Sequence, residues 1–371
     1  MPQARLKYPQ GLPRPFSDDP TQWLFHGHPC GSVIWDDSLK RVVDGPLRTD
    51  STVLQVAVAR LLGYRWPAEQ DPGMDLAPEQ RAWVERSSVL DRFTDDDGIV
   101  CLSPIRGERG AADRLREILG AAYGARWSHD TERALLAAAA NGPRVPGDLE
   151  SWLRDHFFAQ HCKLFDNRPF IWHIWDGLRD GFHCLVNAHK LTGPDGAGRR
   201  TLQAILYSYL GPWIQRQKAD LQEGKEGADS RVAHARDLEA QLEKILAGEP
   251  PLDLFIRWKP LHEQPLGWEP DINDGVRLNI RPFLCAELRS GRRQGAGLLR
   301  SKPNIKWGKD RGYDPESLRP KADYPWFWSC PGDGAVDFSG GGGFDGNRWN
   351  DLHYSTAAKG KARHGRGDGS A

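Results

Sequence analysis

Arg300, Lys302, Lys306, Lys309 and Arg311 crowd into one short run, RSKPNIKWGKDRG (300–312), where they interleave with Asn304 and Trp307. Cations at this density suit phosphate oxygens, an amide such as Asn304 can read a base edge, and an indole offers a stacking surface. Upstream, VRLNIRPF (276–283) carries Arg277, Asn279 and Arg281 at i, i+2 and i+4. Side chains alternate across a strand, so an extended conformation here puts all three on one face and Leu278, Ile280 and Pro282 on the other. Both stretches have the chemistry of holding and reading a nucleic acid. The competing role for Arg277 and Arg281 is structural ion pairing with Asp271, Asp274 or Glu287.

Candidates for bond-making chemistry are poorer. His26, His28 and Cys30 lie close together but have no fourth ligand in view, and structural zinc sites take four. His183, Cys184, Asn187 and His189 supply the residue types of a thiol nucleophile. On alternating strand positions, however, Cys184 points away from His183 and Asn187 and reads as a buried structural cysteine. Pro194-Asp195 with Glu223-Gly224-Lys225 imitates a metal-nuclease spacing, without a strand to hold the second half against the first. TGPDGAGRR (192–200) departs from GxxxxGK[ST] and reads as a turn. VDFSGGGGFDG (336–346) is followed by only 25 residues, too few for the remaining helices and strands of a doubly wound sheet. No catalytic, cofactor-binding or metal-ligating residue is assigned.

The elements that must position the basic run are organised around FDNRPFIWHIWDGLRDGFHCLVNAHKL (165–191). Two period-2 stretches, 171–176 and 182–187, flank a turn opened by Asp176-Gly177 and closed by Asp180-Gly181, which predicts a half-buried β-hairpin. Asp148 is an N-cap for a helix running to about Lys163. Further helices are predicted after Thr49–Thr52, near Ala77–Val89, over Ala111–Tyr123 and over Asp130–Ala140, with a strand at 98–104. Thr201–Leu210 reads as helical with a kink at Gly211-Pro212. A charged segment then continues to Leu246, where Leu238, Leu242, Ile245 and Leu246 keep one seam, as in an antiparallel helical hairpin. LDLFIRW (252–258) and VRLNIRPF read as strands.

The predicted class is α+β, without a complete Rossmann-like domain. Its parts are a linker or truncated join at 1–20, a mixed helical and β spacer at 21–145, and a helix, β-hairpin and helical-hairpin arm at 146–250. A basic β-rich recognition region follows at 251–356, then a disordered basic tail at 357–371. The 371 residues include 15 Trp against 2 Met, which marks a globular chain with large aromatic anchors. Formal net charge is zero, but 17–100 holds 15 Asp/Glu against 8 Lys/Arg, whereas 277–321 holds 12 Lys/Arg against 4 Asp/Glu. Only the second segment has the electrostatic footprint of a nucleic-acid surface. The six cysteines form no CxxC pair and no apolar run approaches a membrane span, so a reduced cytoplasmic setting is expected.

The central hairpin, LHEQPLGWEPDINDGVRLNIRPF (261–283), LLRSKPNIKWGKDRG (298–312) and NRWNDLHYS (347–355) together resemble the C-terminal half of the large adenine-specific DNA methyltransferases of bacterial phage-defence (BREX-type) and fused restriction-modification systems. The resemblance is specific from about 150 to 356 and looser from about 20 to 150, through GYRWP and DGIVCLSP. It implies a target-recognition region that engages double-stranded DNA, joined to an upstream methyltransferase domain or subunit. The motifs for S-adenosylmethionine and for the target amine are expected upstream. Amino-group methyltransferases hold the flipped base in a [DNS]PP[YFW] loop, and the Pro-Pro here, Pro250-Pro251, stands between Glu249 and Leu252. A non-catalytic scaffold that docks other defence-system proteins through the 214–247 arm is the alternative.

Overall fold

The structure, a computed structural model, describes residues 27–247 apart from 71, 74–75, 141–144, 166 and 193–195, together with 280–288 and 296–304. Its architecture is α+β, with helices and small sheets, as the patterning predicts. The chain divides into two units, Met1–His161 and Cys162–Ala371. No helix among the described residues is long and apolar enough to cross a membrane.

The first described strands form an antiparallel hairpin, β1 (Val33–Asp36) and β2 (Arg41–Asp44), in which Val33 faces Asp44 and Asp36 faces Arg41. This element escaped the sequence reading. The core of the first unit is α1 (Val53–Leu61), buried at every position, polar ones included. Arg60 is fully buried, donating to the Gly27 carbonyl at 3.0 Å, Glu69 at 2.7 Å, the Ser87 carbonyl at 3.0 Å and Asp91 at 2.8 Å. Glu69 lies in α2 (Pro67–Gln70), Ser87 ends α3 (Pro78–Ser87) and Asp91 follows in a 3-10 turn, so with the Gly27 loop one guanidinium ties four segments to α1. Beyond strand β3 (Ile99–Cys101), α4 (Ala111–Tyr123) lays Leu115, Ile118 and Leu119 into the core and packs on α1. The predicted span of α4 is the observed one.

Ser128 caps α5 (His129–Ala138) by accepting the Thr131 N–H at 3.2 Å. Asp148 caps α6 (Leu149–Asp155) in a reciprocal box with Ser151, as its residue type implies. The helix predicted from Asp148 to Lys163 is broken at His156 and resumes as α7 (Phe157–Leu164). A buried polar chain follows the break. The Gln160 side-chain Oε1 accepts from the Trp152 indole and the Gln55 amide, both at 3.2 Å, while the His161 Nδ1–H donates to Gln55 Oε1 at 3.0 Å.

Two histidines in this unit are held neutral by burial: His28 titrates at about 4, with Arg60 and Arg86 adding to the effect, and His161 at about 3. An unfolded-chain histidine titrates near ~6.5, so below that pH the unfolded state takes up protons that the folded unit refuses. Stability present above about pH 6.5 is therefore lost as pH falls through about 6 to 4.5, with both histidines contributing. In the second unit burial depresses His173 in the same sense, but it raises Asp176 to about 6. Folded Asp176 gains its proton between about pH 6 and the unfolded value near ~3.9, which stabilises the unit as pH falls and offsets His173. Urea unfolding read by hydrogen exchange at pH 7, 6 and 5 should show the first unit weakening steeply and the second little. Equal sensitivity of the two units would contradict this assignment.

The second unit is built on β4 (Ile171–Trp175) and β5 (His183–Asn187), antiparallel with Ile171 opposite Asn187 and Trp175 opposite His183. All ten residues are buried, so the sheet is covered on both faces rather than half-buried as the alternation suggests. Asn187 caps the short α8 (Ala188–Leu191). A continuous rod follows: α9 (Ala197–Gln203), a π-helical stretch (Ala204–Leu210) and α10 (Gly211–Gln222). The Gly211 N–H bonds the Leu206 carbonyl, five residues back. The widened turn accommodates Pro212, which lacks an N–H and would crowd the carbonyl four residues earlier in a regular α-helix. Gly224 and Gly227, both at positive φ, shape the turn into α11 (Ala228–Ala247), which packs on α10 as the predicted helical hairpin.

Candidate nucleic-acid interface

The hairpin turn is fixed from within by Asp176, whose carboxylate accepts the Leu178 N–H at 3.0 Å and the Phe182 N–H at 2.8 Å. Gly181 lies so close that an added Cβ would stand 2.0 Å from Asp176 Oδ1. His183 Nε2–H donates to the Leu178 carbonyl at 2.9 Å, and its Nδ1 shares a hydrogen bond with His173 Nε2 at 2.9 Å. The two histidines thus act as a cross-strand strut. Cys184 is buried within the strand, in keeping with a structural role. From the arm, Arg231 reaches Asp180 in the turn at 3.0 Å and Gln217 on α10 at 2.5 Å, and Trp213 packs edge-on against Phe182.

The basic run begins on this frame. The Leu298 carbonyl accepts the Trp175 N–H at 3.1 Å, the Arg300 N–H donates to the His173 carbonyl at 2.9 Å, and Leu299 forms an antiparallel bridge with Ile174. Trp175 also donates its indole N–H to the Leu299 carbonyl at 3.0 Å. The outer edge of β4 is therefore occupied by 298–300. The Arg300 guanidinium lies 4.5 Å over the Trp175 ring, a cation–π contact that holds its stem against the hairpin. Beyond it, Pro303 is buried while Lys302 and Asn304 are exposed. Asn304 is pinned through its N–H to the Asn167 side chain at 2.9 Å, with Asn167 in the left-handed region at φ 59°. Gly297 makes the approach possible: at φ 55° it sits against the Phe283 carbonyl, where a Cβ would come within 2.0 Å.

The sequence-predicted residues divide accordingly. Arg300, Lys302 and Asn304 are brought together at the hairpin edge. Arg277, Asn279, Lys306, Trp307, Lys309 and Arg311 lie outside the described residues, as do the LDLFIRW strand and the 357–371 tail. Arg281 corrects the strand reading of VRLNIRPF. It begins a short helix, α12 (Arg281–Cys285), with Pro282 in its first turn, so the i, i+2, i+4 face does not extend through it. Phe283 of α12 packs on Trp172, ring centroids 5.1 Å apart.

Two further side-chain clusters make structural contacts. His28 Nδ1 stands 3.7 Å from Cys30 Sγ, its ring against Trp83, while Cys30 donates to the Ala122 carbonyl at 3.3 Å. Burial pushes the Cys30 thiol up to about 12. Asp95, Asp96 and Asp97 group their carboxylates, but Asp95 accepts the Gly98 and Ile99 N–H groups and pairs with Arg114 at 2.8 Å. That places it as the cap of the turn into β3.

No family model matches the chain. Over 151 residues the chain is 25% identical to the adenine-specific methyltransferase BrxX of Escherichia coli O9:H4 (strain HS), a match covering 38% of this chain and 12% of that protein. The chain thus spans a small fraction of that relative's length, and the similarity ties it to methyltransferase-related sequences.

Proposed function

We propose that this chain is the DNA-holding, target-recognition C-terminal part of a site-specific adenine-N6 DNA methyltransferase acting in phage defence or restriction-modification. S-adenosylmethionine and the amine-gripping loop would belong to an upstream domain or subunit. The observation that carries the reading is the anchoring of Arg300–Asn304. A basic run is tethered by main-chain bonds to a doubly covered hairpin and leaves Lys302 and Asn304 exposed, in a chain similar to an adenine-specific methyltransferase. A rigid sheet edge that launches a cationic segment can set the register of the duplex through phosphates, while amide and guanidinium groups read bases.

The test separates holding from reading. Arg-to-guanine or Asn-to-adenine contacts are each worth about 1–3 kcal/mol of base discrimination, and lysine-to-phosphate contacts carry little sequence preference. In the enzyme reassembled with its catalytic part, Asn279→Ala relaxes the methylated motif, whereas Lys306→Ala weakens all sites about equally. Genome-wide mapping of modified adenines reads both effects. Retention of the parental motif at full occupancy in the Asn279 variant would remove base reading from that segment. Isothermal titration of the chain alone with S-adenosylmethionine should give no saturable heat, and micromolar binding would contradict the division of labour.

A further inference from the structure

We infer that Arg168 is a phosphate contact for duplex DNA, held beside the start of the basic run by the left-handed turn at Asn167, so that the DNA-holding surface includes the chain's entry into β4. That turn is fixed from several sides. Asn167 donates its N–H to the Cys162 carbonyl at 2.7 Å and Arg168 donates its own to the Phe165 carbonyl at 2.9 Å, which closes the end of α7. Ahead of β4, the Trp172 indole bonds the Pro169 carbonyl at 2.9 Å, and Phe165 packs edge-on against Phe170 with ring centroids 4.6 Å apart. Pro169 and Phe170 are both buried. Asn167 tolerates its positive φ as asparagines do, and its side chain accepts the Asn304 N–H at 2.9 Å. Arg168 therefore follows directly on the residue that pins the basic run.

What singles out Arg168 is a locked backbone with an uncommitted guanidinium. The residue is half-buried, and among the described residues its side chain enters no hydrogen bond, ion pair or ring contact. A planar fork of five donors with no protein acceptor suits a phosphate, and fixing its main chain in advance lowers the cost of ordering it on a ligand. Lys302, two residues before Asn304, is exposed and likewise enters no described ion pair. Charge favours a polyanion here even when every acid is counted. The stretches that meet at this edge, 163–170, 280–288 and 298–304, carry Lys163, Arg168, Arg281, Arg300 and Lys302 against Asp166 and Glu287, five cations to two acids. The inference rests on the proposed DNA-holding role and extends the holding surface from the basic run to the turn before β4.

The experiment is fluorescence anisotropy of the full chain with a duplex of arbitrary sequence over a range of salt. Removing one phosphate contact in Arg168→Gln should reduce the slope of log K against log salt by about 0.9, about eightfold in affinity at ~0.1 M salt. Arg168→Lys keeps the charge and should keep the slope, which separates a lost contact from lost folding. Asn167→Gly keeps the left-handed turn but removes the acceptor that positions Asn304, so affinity should fall about fivefold with the slope unchanged. Wild-type affinity in the glycine variant would overturn the positioning role of Asn167. A wild-type slope in Arg168→Gln, whatever its affinity, with binding still abolished by reversal of Lys302, Lys306 and Lys309, would overturn the phosphate contact alone. Absence of duplex binding by the wild-type chain would overturn both this inference and the DNA-holding role.

Discussion

Changing Lys302, Lys306 and Lys309 to Glu abolishes duplex binding while leaving the circular dichroism spectrum intact. Each phosphate contact contributes about 0.9 to the dependence of log K on log salt, so losing three costs about 500-fold at ~0.1 M salt before the repulsion of three new carboxylates is added. Lys302 is exposed and enters no described ion pair, so reversing its charge leaves the hairpin edge unburdened. The main-chain bonds of 298–300 to β4 do not depend on it. Unchanged affinity in the triple variant would move the DNA site elsewhere and favour the scaffold reading.

Arg60→Met destabilises the first unit by about 3–5 kcal/mol, the range for breaking a buried ion pair from one side. The cause is what remains. Glu69, whose side chain is only 10% exposed, would keep its charge without the guanidinium, and the Gly27 and Ser87 carbonyls would lose their donor. Asp91 suffers less because it is half-exposed and also meets Arg65 at 3.0 Å. The double variant Arg60→Met/Glu69→Gln should recover part of the loss, because the stranded carboxylate is removed with its partner. A urea midpoint for Arg60→Met close to wild type, or no recovery in the double variant, would contradict this account.

How far the sequence reached depends on whether local pattern or long-range packing decides a residue. The central hairpin was legible because two alternating runs flank a turn bracketed by Asp-Gly pairs, and its register follows from that turn. That both its faces are covered was not, since Phe283 over Trp172 and Trp213 beside Phe182 come from distant segments. The capping box at Asp148 is local and was legible in part, but the break at His156 follows no breaker residue. VRLNIRPF alternates well enough to read as a strand, yet Pro282 suits the first turn of a helix and part of the segment folds that way. Arg60 was invisible: an arginine near the end of an apolar helix reads as its solvent face, and only the chain's return through Glu69, Ser87 and Asp91 buries it. The continuity of the rod escaped because Gly211-Pro212 signals a kink, whereas the π-helical stretch absorbs the proline and keeps α9 and α10 on one uninterrupted helix. Of the basic run, composition marked the cations, and only the structure shows its first residues bonded to the hairpin edge.

The most direct test of the DNA-holding role is a titration of the intact, unmodified chain against duplex DNA at several salt concentrations. The account predicts saturable binding whose log K falls linearly with log salt, with a slope magnitude of at least about 2.7 for the three lysine contacts of the basic run alone. No saturable binding at low salt, or an affinity indifferent to salt, would contradict it.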